Sequence, residues 1–408
     1  MRRYLLLALV VFQLPNVIGQ SCSPNSLITR EIRAVDTDSN INWELQKHQV
    51  FLNPDCIQND KLVIHLVGSY DNPANTSYFP ALAANNGFKA IVLKYPNNTA
   101  ALTACGNSNN VNCFRQFRKE IIYGIDSSST VTVDTNNCII NRIEKLLSHL
   151  NSNYPNENWD NFLTASGNIN WPYIIISGHS QGGGHAAFIG KQNLVSRVLM
   201  FASPNDYSAN FAGPANWVSM TSATPNSRYF AFGNLFDDVV DYSNQFQIWD
   251  LMGLIPADSI NVDHSVCNYN NSHALYTAQH DPSASFSTCH NNVIIDDYTP
   301  LLNGTPTFTS VWKYMLGLCD LSSIFSKATE RSANIKLFPN PASSIIQIES
   351  PEKVSSIKLF SCSGTLLKID YPNKEIFTQN LESYKGVLFI LMTLEETGIQ
   401  VYKKVIMN

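Results

Sequence analysis

The sequence predicts an α/β domain built on a doubly wound, mainly parallel sheet, followed by a small β-sandwich at the C-terminus. Apolar, β-branched runs alternate with helix-length segments from Lys61 onward, the rhythm of parallel strands joined by crossover helices. One of these strand–helix junctions carries a glycine-flanked serine, Gly178-His179-Ser180-Gln181-Gly182. Beyond Cys319 the helical periodicity stops and only short β-rich pieces remain.

Taken in order, Lys61 to Gly68 reads as a strand buried on both faces. A helical segment is expected near Tyr78 to Asn85, and the next strand spans Lys89 to Tyr95. Ile139, Ile140, Ile143, Leu146, Leu147 and Leu150 recur at helical spacing, so Cys138 to Leu150 is an amphipathic helix. Trp171 to Ser177 is a strand leading into the glycine-rich turn, and a helix of small residues opens at Gly182. Further strands are expected at Val195–Ala202, Arg228–Phe232 and Ser259–Val262. In the tail, Ile335–Phe338, Ile345–Ile348, Val354–Phe360, Val387–Met392 and Gln400–Ile406 form the sandwich.

The ends and the composition set the context. Arg2 and Arg3 precede an apolar stretch from Tyr4 to Phe12 and a small-residue exit at Gly19, the pattern of a secretory signal peptide over residues 1–19. That run is shorter than the ~20 residues needed to cross a bilayer, and no later stretch qualifies as a transmembrane segment. Residues 20–325 are assigned to the α/β domain, 326–334 to a polar linker and 335–408 to the tail. Hydrophobic residues make up 44% of the chain and charged residues 14%, enough for a sizeable core. A formal net charge of −5 gives no footprint for nucleic acid. Nine cysteines suit an oxidising destination. Eight precede the tail, with Cys105 and Cys113 placed to staple a loop and Cys267 and Cys289 placed to brace a histidine-bearing segment. No metal site is expected, because the nine histidines form no HExxH or clustered pattern, and no cofactor is called for.

A serine hydroxyl needs an oriented base and an anion-stabilising hole to act as a nucleophile. Set between a strand and a helix, Ser180 has the placement of a nucleophile elbow. The backbone N–H of Gln181 is one expected oxyanion donor, and that of Ser69, after the Lys61–Gly68 strand, is the second. In this arrangement the order along the chain is serine, acid, histidine. The expected acid is Asp237, with Asp238 as the alternative and Asp206 as a more distant candidate. The expected base is His273, read as lying in a polar loop that runs into a helix, with His264 as the alternative. Packing roles are expected for His65, His179 and His185.

Gly178 through Ala186 (GHSQGGGHA), followed by Val195–Pro204, resembles a secreted α/β-hydrolase family with a GHSQGxGHA elbow. Leu66-Val67-Gly68-Ser69, Lys94-Tyr95-Pro96-Asn97 and Asn271-Ser272-His273-Ala274-Leu275 resemble other segments of that family. The resemblance spans roughly Val50 to Leu318 and implies a serine hydrolase of the α/β-hydrolase fold, with His273 as base. The tail, through Leu337-Phe338-Pro339-Asn340-Pro341-Ala342, Ser363-Gly364, Lys385-Gly386 and Lys403-Lys404-Val405-Ile406, resembles the sorting domain of the type IX secretion system. That implies export through the periplasm of a Bacteroidetes-type bacterium, to the surface or beyond. The expectation is therefore a secreted carboxylic-ester hydrolase acting on a small-molecule or polymer ester. A peptidase, a depolymerase, or a catalytically silent binding protein on the same scaffold are the alternatives.

Overall fold

A computed structural model describes residues 22–255, 259–263, 265, 267–280, 283, 285–318, 335–361, 366–395 and 400–407. The expected signal peptide and linker, His264, and Cys319 and Cys362 lie outside the described residues. The chain divides into two compact units, one of residues 1–265 and 272–316, the other of residues 266–271 and 317–408.

The first unit is built on a nine-stranded sheet. Its strands are β1 (Ile28–Arg33), β2 (Lys47–Leu52), β3 (Leu62–Leu66), β4 (Lys89–Leu93), β5 (Ile174–His179), β6 (Arg197–Phe201), β7 (Tyr229–Asn234), β8 (Ile260–Asn261) and β9 (Ala274–Thr277). The spatial order is β1-β2-β4-β3-β5-β6-β7-β9-β8. Strand β2 runs antiparallel to both its neighbours, and every pairing from β4 to β8 is parallel. Strands β3, β4 and β5 are buried throughout, which explains their continuous apolar sequences.

Helices α1 (Tyr78–Ala84), α2 (Ala101–Cys105), α3 (Cys113–Tyr123), α4 (Ile139–Asn153), α5 (Gln181–Gln192), α6 (Tyr242–Leu251), α7 (Thr288–Asn291) and α8 (Thr309–Leu316) belong to this unit. In α4 the residues Ile139, Ile143, Leu146, Leu147 and Leu150 are buried, as their spacing requires. Cys105 and Cys113 are joined, stapling α2 to α3, and Cys22 is joined to Cys56. Cys267 is also disulfide-bonded, but Cys289 is a buried free thiol, so the expected brace between them is absent.

Two differences from the sequence expectation matter for the site. Strands β1 and β2 extend the sheet beyond Lys61, and the segment after His273 is strand β9 rather than a helix. Strand β9 lies between β7 and β8, with Ala274 beside Ala231 and Leu275 beside Ile260. Its short Ala-Leu-Tyr-Thr sequence completes the sheet instead of starting a crossover.

The second unit holds β10 (Lys336–Phe338), β11 (Ile345–Ser361), β12 (Leu366–Asp370), β13 (Lys374–Asn380), β14 (Gly386–Leu394) and β15 (Gln400–Met407). All pairings among these strands are antiparallel, and β11 pairs with four of the others. The pieces Ile345–Ile348 and Val354–Phe360, expected as separate strands of a sandwich, belong to the one strand β11, which joins the six strands in a single sheet and whose register shifts between Glu349 and Val354. Ile346, Ile348, Ile357, Leu359, Ile390, Met392 and Val405 form its core.

Besides His290, four described histidines are buried in the first unit. His48 accepts from Lys94 N–H at Nδ1 (3.0 Å), and His65 Nδ1 lies 2.9 Å from Ser177 Oγ. Burial lowers both from an ordinary 6.5 to about 3, and holds His179 and His185 well below the ordinary range. A pKa depressed by folding stabilises the protein above the unfolded value and loses that stability as pH falls. The urea midpoint should therefore drop between about pH 7.5 and about pH 5.5, with His48 and His65 each contributing roughly 1 kcal/mol. A midpoint unchanged across that window contradicts their neutral burial.

Candidate active site

Ser180 follows β5 directly and caps α5, with φ +51° and ψ −121°. That is a strained backbone for a residue with a side chain. The turn is held by Ser180 N–H donating to Phe201 O at 2.8 Å. It can form only where the helix meets the sheet without side chains. A Cβ on Gly182 would stand 2.0 Å from Leu66 O and 2.5 Å from Val67 O, the end of β3. Helix α5 therefore packs its backbone against the start of the Gly68–Asp71 loop.

That loop and the elbow share their contacts. Gln181 Oε1 accepts from Ser69 Oγ (3.0 Å) and from Ala101 N–H (2.7 Å), tying the loop and α2 to the start of α5. Asn97, itself buried, donates from Nδ2 to Gly68 O (2.6 Å) and Asp71 O (3.0 Å) and accepts from Lys94 Nζ (2.7 Å). Among the described residues the backbone N–H groups of Ser69 and Gln181 have no acceptor. Ser69, Ser180 and Gln181 all line one cavity of about 570 Å³. The helix dipole and a free N–H at the start of α5 favour a developing negative charge there.

Asp237 sits in the turn after β7, its carboxylate fully buried. Oδ1 accepts from Val239 N–H (3.0 Å) and Val240 N–H (2.9 Å). Oδ2 accepts from Gln245 Nε2 (2.7 Å) and from His290 Nδ1 (2.8 Å). Asp238 accepts at Oδ1 from the backbone N–H of His290 (3.3 Å), so it holds the chain of α7 rather than the imidazole. His290 lines the Ser180 cavity, and with Nδ1 engaged its Nε2 is the nitrogen left for the cavity. His179, neutral because it is buried, donates from Nε2 to His290 O (3.1 Å), its ring 4.9 Å from that of His290.

The expectation that His273 sits beside Ser180 is not met. His273 precedes the amino end of β9, whereas Ser180 follows the carboxyl end of β5, so the two stand on opposite edges of the sheet. Strands of about five residues separate those edges by roughly 17 Å. The His273 ring stacks on Phe230 (centroids 4.4 Å apart), and Nδ1 lies 2.7 Å from Tyr229 O. The histidine that reasoning from sequence passed over is His290. Its signal was position after the last strand of the sheet, which it shares with His280, whose ring lies against Phe236 (centroids 4.8 Å apart).

Asp206 is committed elsewhere. It forms a buried, bidentate pair with Arg118, from Nε (2.7 Å) and Nη2, and also accepts from Trp217 Nε1 (2.6 Å). Arg118 Nη1 donates to Gln181 O (3.1 Å). The amide of Asn205 lies 3.3 Å from Ser180 Oγ. Turned so that its oxygen faces the hydroxyl, its nitrogen donates to Pro204 O (3.2 Å) and Ala202 O (3.1 Å). Among the described residues no three His, Cys, Asp or Glu side chains converge as metal ligands, and no helix is long and apolar enough to cross a membrane.

The first unit is thus an α/β protein with a large, mostly parallel sheet and a strained serine at a strand–helix turn. Residues 336–408 match the family described as the secretion system C-terminal sorting domain, of the type IX system. No relative was found among the curated proteins. The sorting domain marks the chain for export, to the cell surface or as a secreted protein.

Helix α5 makes a structural prediction independent of chemistry. A Cβ at Gly184 would stand 2.0 Å from Arg118 Nη2, inside the buried ion pair. Gly184→Ala should cost roughly 3 kcal/mol in urea unfolding, because neither partner has room to move. Gly213→Ala, whose nearest neighbour is 3.8 Å away, should stay within about 0.5 kcal/mol of wild type. Equal losses would contradict the packing described.

Proposed function

We propose that the first unit is an α/β-hydrolase: an exported serine hydrolase that cleaves carboxylic esters through a Ser180–His290–Asp237 triad. The observation that carries this reading is the 2.8 Å contact from His290 Nδ1 to Asp237, with His290 lining the same cavity as the strained Ser180. A serine at a strand–helix turn, an acid after a later strand and a histidine after that follow the chain order of this fold.

In the proposed reaction Ser180 Oγ attacks the ester carbonyl while His290 Nε2 takes its proton. Asp237 fixes the tautomer that leaves Nε2 unprotonated and stabilises the imidazolium that forms. The carbonyl oxygen becomes an oxyanion held by the N–H groups of Gln181 and Ser69. Collapse breaks the ester bond, and His290 returns the proton to the departing alcohol. Water, deprotonated by His290, then releases the acid from the acyl-enzyme and restores Ser180. Gln245 and Asp238 hold the acid and the helix of the base. In this reading the tail delivers the enzyme through the periplasm of a Bacteroidetes-type bacterium and is removed or exchanged for an anchor.

A fluorophosphonate probe and 4-nitrophenyl acetate test the assignment together. Ser180→Ala and His290→Ala should lower kcat by about 10⁴-fold or more, Asp237→Asn by about 10⁴-fold, and His273→Ala should leave it near wild type. The probe should label wild type at Ser180 and fail on Ser180→Ala. A protein that neither hydrolyses the ester nor takes the label is a silent scaffold, and loss of activity in His273→Ala alone would remove His290 from the role of base.

A further inference from the structure

The cavity at Ser180 continues into a second one of about 280 Å³, and the two share Leu102, Asn205, Val239 and Val240. Two arms of different chemistry therefore meet at Asn205, whose amide lies 3.3 Å from Ser180 Oγ. The first arm is bordered by Tyr70 and Phe286, which leave 70% and 74% of their surface exposed, together with Leu102 and Ile295. Tyr70 follows Ser69 and holds a left-handed φ of +62°, its N–H donating to Asn97 O at 2.8 Å. Strain on an exposed aromatic gives the core nothing; it holds the backbone of Tyr70 at the border of the cavity. The second arm is lined by Asn107, Tyr207 and Asn244, whose side-chain amides and phenol have no hydrogen-bond partner among the described residues.

Charge narrows the occupant further. The acidic side chains along the two arms are Asp71, Asp297 and Asp241, and the basic ones are Arg118, His179 and the base His290; Arg118 is already committed to Asp206 and Gln181 O, and His179 is buried and neutral. A substrate carboxylate would meet acidic groups and no uncommitted cation. Neutral amides and a phenol supply donors and acceptors together, which suits hydroxyl groups.

We propose that the substrate is an uncharged ester joining an apolar, aromatic or alkyl acid to a hydroxyl-rich alcohol. The acid lies between Tyr70 and Phe286, and the alcohol lies along Asn107, Tyr207 and Asn244. This rests on the hydrolase reading above and specifies what that site accepts. The bond cleaved is the acyl–oxygen ester bond, the acid is passed to Ser180, and the alcohol leaves through the second arm with the proton from His290.

The experiment compares kcat/KM of the full mature chain for ethyl acetate, ethyl benzoate and glucose 6-benzoate. Wild type should favour glucose 6-benzoate over ethyl benzoate by at least about tenfold. The double variant Asn107→Ala/Asn244→Ala should bring that ratio to about one, with fluorophosphonate labelling of Ser180 reporting that the site still folds. Tyr70→Ala/Phe286→Ala should lower the benzoate-to-acetate ratio by about tenfold. A labelled, active wild type with no preference for the sugar ester, or a preference untouched by the asparagine variant, overturns the proposal and leaves the hydrolase reading standing. Absence of both labelling and 4-nitrophenyl acetate hydrolysis removes both.

Discussion

The carboxylate of Asp237 is the point on which the carboxyl edge of the sheet is assembled. Two of its four hydrogen bonds close its own turn through Val239 and Val240, one reaches α6 through Gln245, and one reaches α7 through His290. Buried carboxylates persist where donors replace water, and here every donor comes from an element that borders the cavity. Asn234 reinforces the arrangement from the end of β7, accepting from Phe236 N–H and donating to Gln279 O and Asn292 Oδ1 on either side of α7. The four-residue helix α7 is short for stability by itself, so its place depends on these contacts.

On the other side of the cavity the elbow depends on a second buried charge. The Arg118–Asp206 pair connects α3 to the segment after β6 and contacts the carbonyl of Gln181. Such a pair is tolerated when its hydrogen-bonding capacity is used, and Trp217 Nε1 and Gln181 O supply the remaining partners. The glycine-rich face of α5 makes room for it. The GHSQGGGHA segment thereby acquires a physical reading: its glycines allow the sheet, the guanidinium and the strained serine to crowd around one helix start.

Much of this was legible from residue patterns because burial on both faces leaves a plain mark. Strands β3, β4 and β5 are continuous apolar runs, α4 repeats at helical spacing, and the serine turn lies between such elements. Where burial is partial the mark fades. Strand β1 reads Ile-Thr-Arg-Glu-Ile-Arg, an edge strand with charges facing solvent, and carries no such run. Strand β9 has four residues, so periodicity could not separate it from the start of a helix, and His273 was consequently placed at the wrong edge. His290 stands on a helix of one turn whose position comes from tertiary hydrogen bonds, which leave no periodic trace. The tail was readable from its motifs, while the joining of its strands through β11 depends on a register shift within a single long strand.

The central claim is that Asp237 orients His290 for Ser180. Proton NMR of the protein carrying a phosphonate adduct on Ser180 examines that contact directly, because a strong imidazolium–carboxylate hydrogen bond gives a far-downfield Nδ1 proton. The resonance should be present in the adduct, persist in His273→Ala and vanish in Asp237→Asn and His290→Ala. Its survival in Asp237→Asn, or its loss in His273→Ala with His290 intact, would contradict the account.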